Sequence, residues 1–291
     1  MADFVLPILF TVLLWWASTG LIALLDGLPR RTFVWSMAGA TLAGLAGIAA
    51  VHWGAGRDTG TGVFAGFIGA ILVWGWIEMA FLLGFVTGPV RSPCPPGAGP
   101  WRRFRLAVQV ILWHELAILA AALVLMRVSD GAAVPVGLWT FLLLWGMRVS
   151  AKLNIFLGVP NLGEEFLPPH LAYMASYFRR RPMNLLFPLS ITGCTLAVVL
   201  FGQAALAAAT GEAGEGTAAS ATAHATAMAL LAALSFLALL EHWLMVLPVP
   251  SASLWSVYLG DRVRRTPGTP PVPPDPTVRT DLAPSTLWRR S

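Results

Sequence analysis

Seven separate runs of about 20 mostly apolar residues dominate this chain, and each is long enough to cross the hydrocarbon core of a bilayer as a helix. They cover about 4–25, 34–53, 63–87, 104–126, 134–157, 184–209 and 222–248. Runs of this length leave few alternatives, because in lipid every backbone N–H and C=O must be bonded within the protein. The breaks between them, "DGLPRR", "GAGRDTGTG", "GPVRSPCPPGAGPWRR", "RVSDGAA" and "TGEAGEGTAAS", are Gly, Pro and charge clusters. Composition agrees: only 11% of the 291 residues are charged, against about 25% in soluble domains. The expected fold is an all-α integral membrane protein. A transmembrane domain spans 1–249, and a Pro- and Arg-rich tail, expected to be flexible, spans 250–291.

Orientation follows from where the basic residues fall. Sixteen of the 19 Lys and Arg lie in or beside the first, third and fifth connections or in the tail, among them Arg30, Arg31, Arg91, Arg102, Arg103 and Arg179–Arg181. The even connections hold only Arg57 and Arg127, each with an Asp nearby, besides Glu212 and Glu215. Positive charge stays on the cytoplasmic side, so the N-terminus is expected outside and the C-terminus inside. The first run, opening "MADF" without Lys or Arg, reads as a retained helix rather than a cleaved signal. This topology accounts for the net charge of +5, and no nucleic-acid-binding signature accompanies it. The two cysteines, Cys94 and Cys194, support neither a disulfide framework nor a metal motif.

The fifth connection, about 158–183, is longer than the others. After Pro168 and Pro169, the residues Leu171, Met174 and Phe178 repeat at helical spacing with Tyr173 and Tyr177 alongside. That predicts a short amphipathic helix lying at the membrane surface before span six. Asn161, Glu164, Glu165 and His170 precede or begin it, either as a polar turn or as a cytoplasmic surface site for a partner or metal, although the spacing matches no strong metal motif.

Ionisable residues inside spans are costly and mark interior contacts. Glu78, His114, Glu115, Arg148 and Glu241 with His242 all fall in the apolar runs, with Lys152 and Asn154 nearer the end of span five. At ~1.5 Å per residue they lie roughly 10–15 Å from the arginine-rich ends of their helices, so four helices place polar groups in one layer. Arg148 and Lys152 are four apart and share a helix face, which makes them expected counter-ions for some of Glu78, Glu115 and Glu241. Asn154 either joins this network or caps its helix. Three uses compete: a buried network fixing helix register; a tetrapyrrole site with His114 or His242 as axial ligand among tryptophans; or a carboxylate-bridged dimetal site. The last is geometrically awkward, because adjacent Glu and His lie about 100° apart around a helix.

The stretch "WGMRVSAKLNIFLGVPNLGEEFLPPHLAYMASYFRRRPMNLLFPLSIT", with "WGWIEMAFLLGFVTGP", "WHELAIL" and "EHWLMVLPVP", resembles the photosynthetic complex assembly family of phototrophic purple bacteria and their relatives, the PuhE group. The resemblance covers most of residues 1–260. It implies a multi-pass protein of the bacterial inner membrane that assists assembly of the reaction centre and core antenna or modulates their bacteriochlorophyll supply. Its implied partners are the membrane subunits of those complexes, the lipid bilayer and other assembly factors. A bound bacteriochlorophyll or precursor would be transient. The family carries no established catalytic residues, so a non-catalytic role is expected. The rival is a membrane enzyme or transporter acting on a tetrapyrrole or lipid.

Overall fold

The computed structural model describes residues 2–210 and 217–247. The expected tail at 250–291, and Glu212 and Glu215, lie outside the described residues. Seven helices are long and apolar enough to cross a membrane: α1 (Ala2–Asp26), α2 (Phe33–Ala55), α3 (Gly60–Leu82), α4 (Pro100–Val128), α5 (Val136–Leu157), α6 (Leu186–Thr210) and α7 (Ala218–Leu244). Three 3₁₀ segments, Arg30–Thr32, Glu164–Phe166 and Pro169–Tyr177, occupy the connections. No strand occurs among the described residues beyond one isolated bridge between Val159 and Arg180. The chain is a multi-pass helical membrane bundle. The connections α1–α2, α3–α4 and α5–α6 share its arginine-rich end.

Helices α3 and α7 are the most buried and form the centre. Phe67 of α3 packs with Leu230, Leu231 and Leu234 of α7 in one cluster; Ile118 and Leu125 of α4 pack with Phe141 of α5 in a second. Between lipid-immersed helices such contacts hold by close packing rather than by the hydrophobic effect, since lipid tails are as apolar as leucine. Small residues therefore matter most. The α2–α3 pair is built on them: a Cβ placed on Gly47 would sit 2.6 Å from the carbonyl oxygen of Gly69. Gly54 and Gly62 meet in the same way. Gly66 of α3 faces Val136 and Gly137, bringing α5 close at that end too.

Two elements differ from the sequence-based expectation. Span three was expected to continue to 87, but α3 ends at Leu82. Gly84 takes a positive φ of 84°, which permits the left-handed turn that stops the helix. Pro89 further on disfavours helix in the residue before it. The chain then doubles back. The amide of Val86 donates to the carbonyl of Ala80 at 2.9 Å, and the carbonyl of Thr87 accepts from the amide of His114, midway along α4, at 3.0 Å. Non-helical backbone at this depth is tolerated only where protein encloses it, and Thr87 is buried.

The second difference is the helix before span six. It forms over Pro169–Tyr177 but is 3₁₀, so its period is three rather than 3.6. Leu171, Met174 and Tyr177 are its buried residues, whereas Phe178 has left the helix. Its apolar face packs on Phe81 of α3 and Val110 of α4, against protein rather than against lipid.

The glycine contacts give a direct check. Gly47→Ala should lower the thermal midpoint of the detergent-solubilised protein, with a cost of about 1–3 kcal/mol for overpacking. Gly39→Ala, whose Cβ meets nothing within 4 Å, should not. Equal midpoints for the two variants would contradict the close α2–α3 contact.

Candidate functional site

The polar layer resolves into separate pairs. Arg148 Nη2 donates to Glu78 Oε2 at 3.2 Å, joining α5 to α3. Lys152 Nζ donates to Glu115 Oε1 at 2.6 Å, joining α5 to α4. The i, i+4 face of α5 thus sends its two cations to two different helices. Glu115 also accepts from Trp145 Nε1 at 3.2 Å. Glu241 accepts instead from Trp15 Nε1 at 3.1 Å, tying α7 to α1. Residues on α1, α3, α4, α5 and α7 therefore meet at one level, and each link crosses between helices, that of Trp145 adding a second bond from α5 to α4 beside that of Lys152.

The two histidines have opposite surroundings. His242 is 1% exposed. Its Nδ1 lies 2.8 Å from the carbonyl of Ala238 and its Nε2 lies 2.8 Å from Ser150 Oγ. Both ring nitrogens are therefore engaged, one by a backbone carbonyl and one by a hydroxyl. Ser150 in turn meets Ser190 at 2.9 Å, so His242 belongs to a link between α5, α6 and α7. His114 is fully buried, and neither ring nitrogen has a hydrogen-bond partner. Its Nε2 stands 3.9 Å from Glu78 Oε1, and its ring lies against Phe81 with centroids 4.4 Å apart. Glu78 Oε1 is buried without a hydrogen-bond partner as well, and the buried Thr87 and Tyr173 hydroxyls have only each other. Burial also raises the Tyr173 phenol above its ordinary pKa, so it remains a protonated donor.

An axial ligand must present a free nitrogen to the face of a macrocycle. His242 has none free, and His114 has no open space beside it, so a tetrapyrrole metal does not fit either histidine in this arrangement. Neither a metal-binding group of three His, Cys, Asp or Glu nor an adjacent Glu–His pair sharing one site occurs among the described residues.

The long α5–α6 connection has a different task from the one its sequence suggested. The last carbonyls of a helix have no intrahelical partner, and this connection supplies partners for three helices. His170 Nε2 lies 2.9 Å from the carbonyl of Leu82, the last residue of α3. Asn161 Nδ2 donates to the carbonyls of Leu244 and Leu247 at the end of α7, at 2.8 and 2.6 Å. Asn184 Nδ2 reaches the carbonyls of Asn154 and Gly158 at the end of α5, at 3.3 and 2.9 Å, and the Asn154 side chain at 3.0 Å. Its Oδ1 accepts from the amides of Leu186 and Phe187, capping the start of α6. Arg103 completes the arrangement. It stacks on the Phe156 ring at 4.0 Å and donates to the carbonyls of Phe156 and Tyr177.

Asn161 and His170 thus serve as half-buried helix caps in the stretch read from sequence either as a polar turn or as a surface site. Glu164 lies 3.7 Å from Arg180, and the side chain of Glu165 lies outside the described residues. Asn154 sits apart from the ion pairs. It is fully buried and donates to Ser190 Oγ at 2.8 Å. Missing from the sequence-based site are Trp15, Trp145, Ser150, Ser190, Asn184 and Thr87, and Arg103 figures there only as a charge that sets orientation. Asn184 carried a usable signal, an Asn just before an apolar run. The tryptophans carried none, because an indole that bonds a distant carboxylate looks like any interfacial aromatic.

The model of the family described as "Protein of unknown function (DUF3623)" matches residues 1–266. A protein of Rhodobacter capsulatus, described as "Uncharacterized 30.4 kDa protein in puhA 5'region", is 41% identical over 254 residues, which is 85% of this chain and 88% of the relative. No solved structure matches.

Two variants separate the satisfied groups from the unsatisfied one. Asn184→Ala removes a cap at two helix ends and should destabilise by about 2 kcal/mol or more. His114→Leu removes nitrogens that bond nothing and should leave the thermal midpoint unchanged or raised, because a buried polar group without partners costs free energy. A large loss of stability in His114→Leu would show that the imidazole has a partner.

Proposed function

We propose that this protein, which belongs to the DUF3623 family, serves photosynthesis as a non-catalytic assembly factor of the bacterial inner membrane, with its arginine-rich end in the cytoplasm. Its clients would be membrane subunits of the reaction centre and core antenna, and its effect on bacteriochlorophyll supply would be indirect. The observation that carries the reading is the setting of the Rhodobacter capsulatus relative, described as lying in the 5′ region of puhA. The narrower likeness to the PuhE group agrees with it.

The geometry supports a role in contact rather than turnover. Glu78 and Glu115 are each bonded to a cation and Glu241 to an indole, so the layer is used to hold helices together. Outer faces such as Leu6, Trp35 and Leu189 stay exposed to lipid or to a client helix. One feature favours the transporter reading: the unwound stretch after Leu82 enters the bundle to the level of His114, and broken helices at depth are a transporter hallmark.

Deleting the gene in a phototrophic host separates these readings. The assembly reading expects less core complex relative to total bacteriochlorophyll, restored by the intact gene, with no pigment intermediate building up. A normal core complex would end it, and accumulation of one pigment intermediate would favour an enzyme.

A further inference from the structure

Arg148 is the charged group whose position is least explained by the pairs described above. It lies nine residues before the end of α5, so ~14 Å below that end at ~1.5 Å per residue. The hydrocarbon core is about 30 Å thick, which puts Arg148 near its middle. Side chains on a helix lean toward its N-terminus, so this one leans deeper instead of reaching for the headgroups. Yet its side chain is 45% exposed, while its partner Glu78 is 6% exposed. An arginine left open to hydrocarbon is costly.

The guanidinium has five N–H donors. One nitrogen, Nη2, bonds Glu78, and no other acceptor among the described residues takes a hydrogen bond from the group. Its charge is therefore already balanced, and hydrogen-bonding capacity is what remains. A second anion would add uncompensated charge beside Glu78 and Glu241. A neutral acceptor adds none. The place for one is the exposed side of the guanidinium, away from Glu78. α3 and α5 touch at their other ends through Gly66, Val136 and Gly137, but at this level two long side chains bridge them.

We propose that the exposed side of Arg148 is a binding site for an apolar, membrane-dissolved molecule that offers a neutral carbonyl oxygen to the guanidinium. The depth excludes an ordinary lipid ester, whose carbonyl stays at the membrane surface. A quinone and the keto group of a tetrapyrrole pigment share the required chemistry. The site stands whether or not the protein assists assembly.

Infrared spectroscopy tests it on the full chain in nanodiscs. Three ¹³C-carbonyl-labelled probes are titrated separately: ubiquinone, bacteriochlorophyll and phosphatidylcholine. A saturable downshift of the carbonyl band with ubiquinone or bacteriochlorophyll is expected, and which of the two responds identifies the source. Affinity should fall on the order of tenfold or more in Arg148→Gln, the loss of a hydrogen bond to a charged group. Because that variant leaves Glu78 unpaired, Glu78→Met/Arg148→Met removes both charges together, a change that is often neutral for stability. The double variant should keep the wild-type thermal midpoint and lose the shift. No shift with any probe, a shift with phosphatidylcholine alone, or a shift that survives in the folded double variant would overturn the site.

Discussion

The constraint on which the rest of this structure depends is the requirement that a peptide carbonyl inside a membrane find its hydrogen-bond partner within the protein. Each helix end that stops short of the surface carries orphan carbonyls, and here α3 stops at Leu82 while the chain continues at membrane depth. The α5–α6 connection answers that need. Its His170, Asn161 and Asn184 reach the ends of α3, α7 and α5 respectively. A connection that merely joined α5 to α6 would not have to lie across the bundle. The capping contacts explain why this one is long and why it packs on Phe81 and Val110 through a 3₁₀ helix.

The same constraint sets what the sequence could reveal. Span number and approximate limits were legible because length and apolarity alone decide them. The polar layer was legible because charge in an apolar run is rare, and the i, i+4 spacing of Arg148 and Lys152 correctly placed them on one face. Partners were not legible, because they depend on which helices are neighbours. Glu241 meets Trp15, 226 positions away, and no local pattern encodes that. The end of α3 was misjudged because "LLGFVTGP" is apolar throughout; hydropathy cannot separate a helix from enclosed irregular backbone. The capping roles of Asn161 and His170 were not legible because polarity in a loop does not say which helix end it will reach.

Glycine was underread for a related reason. In water a glycine-rich helix looks weak. Between lipid-immersed helices the missing side chain permits backbone contact. The spacing Gly62, Gly66, Gly69 against Gly47 and Gly54 places α2, α3 and the start of α5 in near contact away from the arginine-rich end. Close packing on one side of the bilayer and long side-chain pairs on the other give the bundle two unlike halves. The first is rigid by shape; the second is held by a few directional bonds.

That asymmetry explains why the two histidines differ. His242 lies where α5, α6 and α7 converge, so Ser150 and the Ala238 carbonyl are within reach of its two nitrogens. His114 lies where the unwound stretch presses on α4, and the backbone of Thr87 takes the place that a polar side chain would need. The enclosed backbone is satisfied at the expense of the imidazole: the Thr87 carbonyl gains the His114 amide, while the ring faces Phe81. A polar layer assembled from such compromises is bonded where its groups meet and incomplete at its margins. Arg148 and His114 mark the two margins, one half-open and one sealed. Of the two, only the half-open margin can exchange partners without the helices first moving apart.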